Sequence, residues 1–355
     1  MARPGDSAEL EKLALAAEAS LERDDYRKAL ESATSVLARS KRHPGALRVR
    51  AAALCGLLRL EEAEEAYLEA CRAAPTDLAL LQDAASFFLE RGAEDGREEF
   101  LERGLELSRR GDKLALRARD QEAAAGFALL EGAFLRDLGE PRAALERFEE
   151  ALARDRDGAE ARLERALTLF ELCRFEEARA ELLEVAKAYP DEALVHHTLG
   201  LIAERAGEDE ESARLFARAH LLDPEGFPAP VVLSQKAFDR AVERALRALP
   251  NRVRTYLSNV AIAVEDVPQD DDLLASDPPL SPEILGLFRG APLGAKASMD
   301  PWSHFPSSIV LYQKNLQRFA RDRRELEDEI GVTLVHEVGH FLGLDEDELW
   351  ERGLG

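Results

Sequence analysis

A repeat of 34 residues is the sequence feature that most limits how this chain can fold. Small residues recur at this interval, and so do large apolar ones: Gly132, Ala166 and Gly200 form the first set, and Phe148, Leu182 and Phe216 the second. Ala, Leu, Glu and Arg dominate the sequence between them, so each period predicts two helices that pack closely at the small residues. Such repeats bury their core only against neighbouring repeats, which predicts a helical solenoid with a concave groove.

The repeats do not extend evenly along the chain. They are clearest between about 125 and 224, and an earlier repeat around Ala63 and Tyr67 has the same register. Glycines interrupt residues 84–124, which predicts an irregular repeat or a bend. Over roughly residues 10–224 the pattern resembles the tetratricopeptide repeat (TPR) family. The resemblance implies five or six helical hairpins and a groove for a protein or peptide partner. A spacer or scaffold role is the alternative.

A second motif, His336-Glu337-x-x-His340, lies near the end of the sequence. On a helix, residues four apart share one face, so both imidazoles can point to one position. Glu337 lies beside that position and can act as a base. This arrangement binds a catalytic zinc ion, Zn²⁺, with one position open for water. A structural zinc usually has four Cys or His ligands and no adjacent Glu. Two surface histidines on a solvated helix are the other alternative.

The residues around the motif predict a helix and its end. Apolar residues recur every four positions, at Leu326, Ile330, Leu334, Val338 and Leu342, and the two histidines lie off this stripe. Gly343 predicts the helix end, because glycine readily adopts the left-handed conformation found there.

Three acidic residues follow Gly343 and compete to be the third zinc ligand. In the related H-E-x-x-H-x-x-G-x-x-H arrangement the third ligand lies three residues after the glycine. Counting from Gly343 predicts Glu346, with Asp345 and Asp347 as alternatives.

Five blocks of the last third resemble the minimal zincin-type metallopeptidase family of small bacterial proteins: Phe238-x-x-x-Val242, 259–266, 285–293, 309–312 and 333–343. The likeness covers nearly all of residues 236–350. It implies a small α+β domain with a short sheet beside the active-site helix, and peptidase activity. The family usually has Asp where this chain has Glu346. The predicted fold is therefore mainly α, with a TPR-type α-solenoid at 1–228 and a zincin-like domain at 229–355.

The predicted function is a zinc-dependent peptidase in which Glu337 takes the proton of zinc-activated water. The repeats are expected to recruit a protein partner or the peptide or protein substrate. The strand at 309–312 is expected to pair with an extended substrate, and Tyr312 either stabilises the oxyanion or packs in the core. The alternatives are a TPR scaffold with a catalytically silent zincin domain and a non-proteolytic zinc amidase.

Charge and cysteine content limit the partners and the compartment. The 355 residues carry a formal net charge of −23, which argues against nucleic acid and anionic membranes as partners. The three cysteines are scattered and odd in number, which favours a reducing cytoplasm over a disulfide framework. The first residues lack the apolar core of a signal peptide, and no apolar run reaches the length of a membrane span. A cytoplasmic location is expected.

Overall fold

The computed structural model describes residues 4–293, 307–345 and 348–349. Contacts divide the chain into two compact units, an N-terminal unit of residues 1–168 and a C-terminal unit of residues 169–355. The predicted boundary at 228/229 lies within the second unit. The boundary states where the repeats end and which part of the chain folds by itself. It stays a prediction.

Residues up to 222 form consecutive helices. Their bounds are α1 Pro4–Leu21, α2 Tyr26–Arg39, α3 Pro44–Gly56, α4 Leu60–Ala73, α5 Leu78–Asp95, α6 Glu98–Ala118, α7 Gln121–Asp137, α8 Pro141–Arg154, α9 Ala159–Glu171, α10 Phe175–Ala188, α11 Ala193–Arg205 and α12 Asp209–Leu222. In the N-terminal unit α1 packs on α2, α3 on α4, α5 on α6 and α7 on α8, and in the C-terminal unit α11 packs on α12. These are the helical hairpins that the repeat predicts.

The 34-residue period arises from one contact that recurs in both units. A Cβ atom added at Gly132 would lie 2.4 Å from Phe148 Cε1, and one added at Gly200 would lie 2.8 Å from Phe216 Cε1. Carbon atoms in ordinary contact are about 3.5–4.0 Å apart, so neither position admits a side chain without movement. In both hairpins the phenyl ring of the second helix packs directly on the backbone of the first.

The irregular stretch at 84–124 is an enlarged hairpin. Helix α5 has 18 residues and α6 has 21, whereas α7 and α8 have 17 and 14. Gly96 ends α5 in the left-handed conformation, with φ of 61°. Gly111 lies inside α6, where an added Cβ would be 2.2 Å from Phe127 Cε1. The glycines therefore cap one helix and allow close packing of another, and the hairpin remains intact.

The end of the chain adds a small α+β region. Its elements are α13 Gln235–Ala248, α14 Asn251–Tyr256, β1 Ala261–Glu265, α15 Asp270–Leu273, β2 Gly286–Arg289, β3 Ser308–Tyr312, α16 Gln313–Phe319 and α17 Arg323–Leu342. In the described residues the strands form one sheet in the order β1-β3-β2. β1 is parallel to β3, with Ala263 opposite Val310, and β2 is antiparallel to β3, with Leu287 opposite Val310.

Helix α17 covers the sheet with its apolar stripe. Leu326, Ile330, Leu334 and Val338 are buried against residues of α13, β3 and α16. Leu342, the predicted fifth member, is 39% exposed. Four residues turn the helix by about 400°, so a four-residue repeat drifts about 40° per step and leaves the core face. Phe341 takes the buried position instead, at 1% exposure.

Within the described residues, no helix has the length and hydropathy needed to cross a membrane. The predicted fold class is confirmed: a mainly α chain with TPR-type hairpins followed by a small α+β region.

Candidate zinc site

Helix α17 carries the H-E-x-x-H motif and has a defined start and end. Asp322 caps its first turn by accepting hydrogen bonds from the backbone N–H groups of Arg324 and Glu325, at 2.7 and 2.9 Å. These bonds lower the pKa of Asp322. Gly343 ends the helix with φ of 95°, as predicted. The motif therefore lies in the last two turns of a helix fixed at both ends.

The two motif histidines face one position. Their rings are half-buried, and His336 Nε2 lies 3.0 Å from His340 Nε2. His340 Nδ1 lies 3.1 Å from the carbonyl oxygen of Leu344. A carbonyl only accepts, so it suits the tautomer of His340 with Nδ1–H, in which the lone pair of Nε2 can bind a metal ion. Two nitrogens bound to one tetrahedral zinc at about 2.0–2.1 Å lie about 3.3 Å apart. The pair therefore fits two ligands of one zinc ion, with the Leu344 carbonyl fixing one imidazole.

Glu337 lies in the same cavity as the histidines. It is only 6% exposed. Strand β2 approaches it closely, because a Cβ atom added at Gly286 would lie 2.6 Å from Thr333 Cγ2 and 3.2 Å from Glu337 Oε1. A glycine at the start of β2 thus leaves room for the carboxylate beside the histidine pair. The geometry suits a base that acts on a group held by the histidines.

The segment after Gly343 returns towards the helix. Leu349 is fully buried, and a Cβ atom added at Gly339 would lie 2.2 Å from Leu349 Cδ2. Asp345 and Glu348 cap each other, since the Glu348 N–H donates to Asp345 Oδ1 at 2.9 Å and the Asp345 N–H donates to Glu348 Oε2 at 3.2 Å. Leu349 therefore packs back against α17 at Gly339, and Leu344 and Asp345 line the cavity that contains the histidine pair.

The third ligand is predicted from the sequence. Glu346 and Asp347 lie outside the described residues. Among the described residues no group of three or more His, Cys, Asp or Glu side chains converges as a metal site. Asp345 lines the cavity, but one of its carboxylate oxygens is engaged in the cap. Glu346 therefore stays a prediction.

The cavity is about 810 Å³ in volume, within the usual range for ligand sites. Its walls are mostly apolar and come from the segment 280–292, from Phe319, and from α17. In the described chain its charged lining residues are Glu329, Glu337 and Asp345, and none is Lys or Arg. It is therefore an apolar cleft with two acidic residues on α17 and a third, Asp345, just after the helix ends.

One expectation about the sheet needs correction. β3 was expected to pair with an extended substrate, but it is the central strand and pairs with β1 and β2. The strand that borders the cleft is β2, whose residues 286–288 line the cavity. It is an edge strand of the described sheet. The prediction selected β3 because it is the more apolar strand. Apolar strands are typical of the buried centre of a sheet, where no edge is open to a substrate.

Tyr312 packs in the core and does not line the cleft. It is fully buried, and its hydroxyl donates to Asp272 Oδ2 at 3.4 Å. Arg289 binds the same carboxylate and also donates to both oxygens of Glu265, at 2.8 and 3.0 Å. Burial, and then the charge of Asp272, raise the pKa of Tyr312. This polar cluster joins β1, β2 and β3, so the packing alternative for Tyr312 holds.

Sequence reasoning missed two residues of the cleft. Gly286 gave no signal by itself, because its role depends on the approach of β2 to α17. Glu329 lies seven residues before His336, and a count of two helical turns would have placed it on the cleft face.

Protein-family models match three stretches of the chain. Residues 257–354 match the family model described as zincin-like metallopeptidase. Residues 14–77 and 135–202 match two models of the tetratricopeptide repeat. No curated protein matches the chain.

Solved structures match the helical repeats. The Pseudomonas aeruginosa protein pilF is 16% identical, with a TM-score of 0.53, over 66% of this chain and 99% of its own. PilW, described as a widely conserved type IV pilus biogenesis factor, is 17% identical, with a TM-score of 0.52, over 61% and 94%. At these identities the likeness shows the fold alone. The chain therefore carries a zincin-like metallopeptidase domain at residues 257–354, C-terminal to two regions of tetratricopeptide repeats.

Proposed function

We propose that the chain is a zinc-dependent peptidase. The observation that supports this most is the pair of imidazole nitrogens 3.0 Å apart, beside the buried carboxylate of Glu337 in an open cleft. His336 and His340 bind the metal, with Glu346 as third ligand. Zinc, when bound, polarises a carbonyl and makes water acidic enough to lose a proton near neutral pH.

The chain's own residues provide the rest of the reaction. β2 aligns an extended peptide along α17 by backbone hydrogen bonding, which orders a substrate without reading its sequence. Glu337 accepts the proton of the attacking water and delivers it to the leaving amine. The peptide C–N bond breaks, and a carboxylate and an amine are released. The apolar walls limit access of further water.

The repeats recruit a protein partner or the substrate itself. The TPR family matches support protein or peptide binding by this region. We place the protein in the cytoplasm, because Cys55, Cys71 and Cys173 form no disulfide in the described chain and burial raises the pKa of Cys71 to about 11. A thiol with so high a pKa reacts slowly, consistent with a packing role.

Replacing Glu337 tests the chemistry. Glu337→Gln should keep about one zinc per chain and lose casein cleavage by about 10²–10⁴-fold, since the base is gone. His340→Ala should lose most of the zinc. Asp328→Asn is the matched control, because it makes the same change on the same helix at a carboxylate 73% exposed.

The alternatives predict other outcomes. A silent domain cleaves nothing even with zinc bound, and an amidase cleaves small amides but not casein. Equal turnover by Glu337→Gln and the parent would exclude Glu337 as base.

Side-by-side zinc affinities test the third ligand. Glu346→Ala should weaken zinc binding more than Asp345→Ala or Asp347→Ala, because only Glu346 is expected to coordinate the metal. A larger loss at either aspartate would move the assignment to it.

A further inference from the structure

Glu329 lies in the cleft two helical turns before the motif. Seven residues separate it from His336, so both lie on the same side of α17. It is half-buried and lines the cavity with Thr333 and His336. The proposed reaction assigns it no role.

The environment of Glu329 disfavours a negative charge. Thr333 Oγ1 donates to Glu329 Oε1 at 3.4 Å, and in the described part of the chain no Lys or Arg side chain forms an ion pair with Glu329. Burial raises the pKa of the Glu329 carboxyl, although the hydrogen bond from Thr333 opposes this. A half-buried carboxylate without a cation destabilises a folded protein.

Glu327, two residues away, shows the opposite arrangement. Arg323 Nε lies 2.9 Å from one of its oxygens and an Arg244 guanidinium nitrogen 2.7 Å from the other. These contacts lower the pKa of Glu327. On the same helix, Glu327 is therefore paired with two arginines, whereas Glu329 lines the cleft with no arginine or lysine paired to it in the described chain.

We propose that Glu329 binds a cationic group of the peptide substrate, either a Lys or Arg side chain or the N-terminal ammonium. This inference rests on the proposed peptidase function. Seven helical residues span about 10.5 Å, and an extended peptide covers about 3.3 Å per residue. The cation therefore lies about three residues from the scissile bond.

Peptide capture tests the inference without turnover. The zinc-loaded full-length Glu337→Gln protein is incubated with a random peptide library, free or N-acetylated, and bound peptides are identified by mass spectrometry. Lys and Arg should be enriched about tenfold at one position, as expected for a hydrogen-bonded ion pair. Adding Glu329→Gln should remove the enrichment, and adding Asp328→Asn should leave it. Enrichment only of non-acetylated peptides would assign the cation to the N-terminus.

A second measurement separates binding from a structural role. Glu329→Gln without substrate should raise the thermal midpoint, because it removes an unpaired charge. A lower midpoint, or equal Lys and Arg enrichment with and without Glu329, would overturn the inference. If the parent cleaves no peptide while capture still depends on Glu329, the peptidase proposal fails and this site stands. If the parent cleaves without cationic preference, only this site fails.

Discussion

Gly286 is the position where one methyl group should disturb the catalytic carboxylate. In Gly286→Ala the new Cβ would lie 2.6 Å from Thr333 Cγ2, 3.1 Å from Glu337 Cγ and 3.2 Å from Glu337 Oε1. All three atoms belong to α17, and both side chains are buried. Either β2 moves away from the helix or the Glu337 side chain changes position.

The size of the effect follows from two opposing terms. Overpacking a buried site costs about 1–3 kcal/mol. Replacing glycine restricts the unfolded chain, which stabilises by about 0.4–1 kcal/mol. The net loss is about 1–2 kcal/mol, which lowers the thermal midpoint of the C-terminal unit by about 2–8 °C. A displacement of about 1 Å at Glu337 should lower kcat by about 10²-fold.

Gly331→Ala is the matched control. Gly331 lies on α17 and an added Cβ would have no neighbour within 4 Å. Alanine is favoured over glycine inside a helix by about 1 kcal/mol, so this variant should melt about 2–4 °C higher and keep full activity. Thermal unfolding, zinc content and casein cleavage are measured for both variants. A Gly286→Ala protein as stable and active as the parent would refute the packing argument.

Two further predictions concern the folding units. Of the two fragments 169–355 and 229–355, only the longer one retains Glu204 beside the mostly buried Arg318. Its free energy of unfolding should therefore be higher by about 2 kcal/mol. Equal melting curves for the two fragments would contradict this. In the N-terminal unit, burial and then the charge of Asp112 raise the pKa of Glu131 from 4.5 to about 7. The folded state therefore binds more protons, and stability falls as pH rises through this window. Glu131→Gln should raise the melting midpoint at pH 8 but not at pH 4. An equal change of the midpoint at both pH values would show that the Glu131 carboxyl does not titrate between them.

The sequence is most informative about features that recur along the chain or that depend only on residues close in sequence. The 34-residue period is readable because the same glycine–phenylalanine contact recurs, at Gly132 with Phe148 and at Gly200 with Phe216. The motif histidines are readable because four residues make about one helical turn, and Gly343 because a helix end favours glycine. Each of these inferences needs only local geometry.

The residues that sequence reasoning missed depend on contacts between distant segments. β2 was not identified as the cleft strand, because only the sheet order shows that β3 is central. Gly286 matters through Thr333, which is 47 positions later in the chain. Leu342 was assigned to the core from its spacing, although the drift of a four-residue repeat carries it to the surface. Apolar pattern alone does not specify which partner covers a face.

The last repeat hairpin contacts α16, the helix that ends at one wall of the cleft. Arg318 on α16 pairs with Glu204 on α11, and both side chains are about nine-tenths buried. Arg205 donates to the carbonyl oxygen of Pro268 at 2.8 Å and pairs with Asp270. Helix α16 joins β3 to α17 and ends at Phe319, a wall of the cleft. Removing one partner of a buried ion pair is strongly destabilising, so we expect α16 to be less stable without the repeat. The hairpin α11–α12 is therefore part of the structure that shapes the proposed active site.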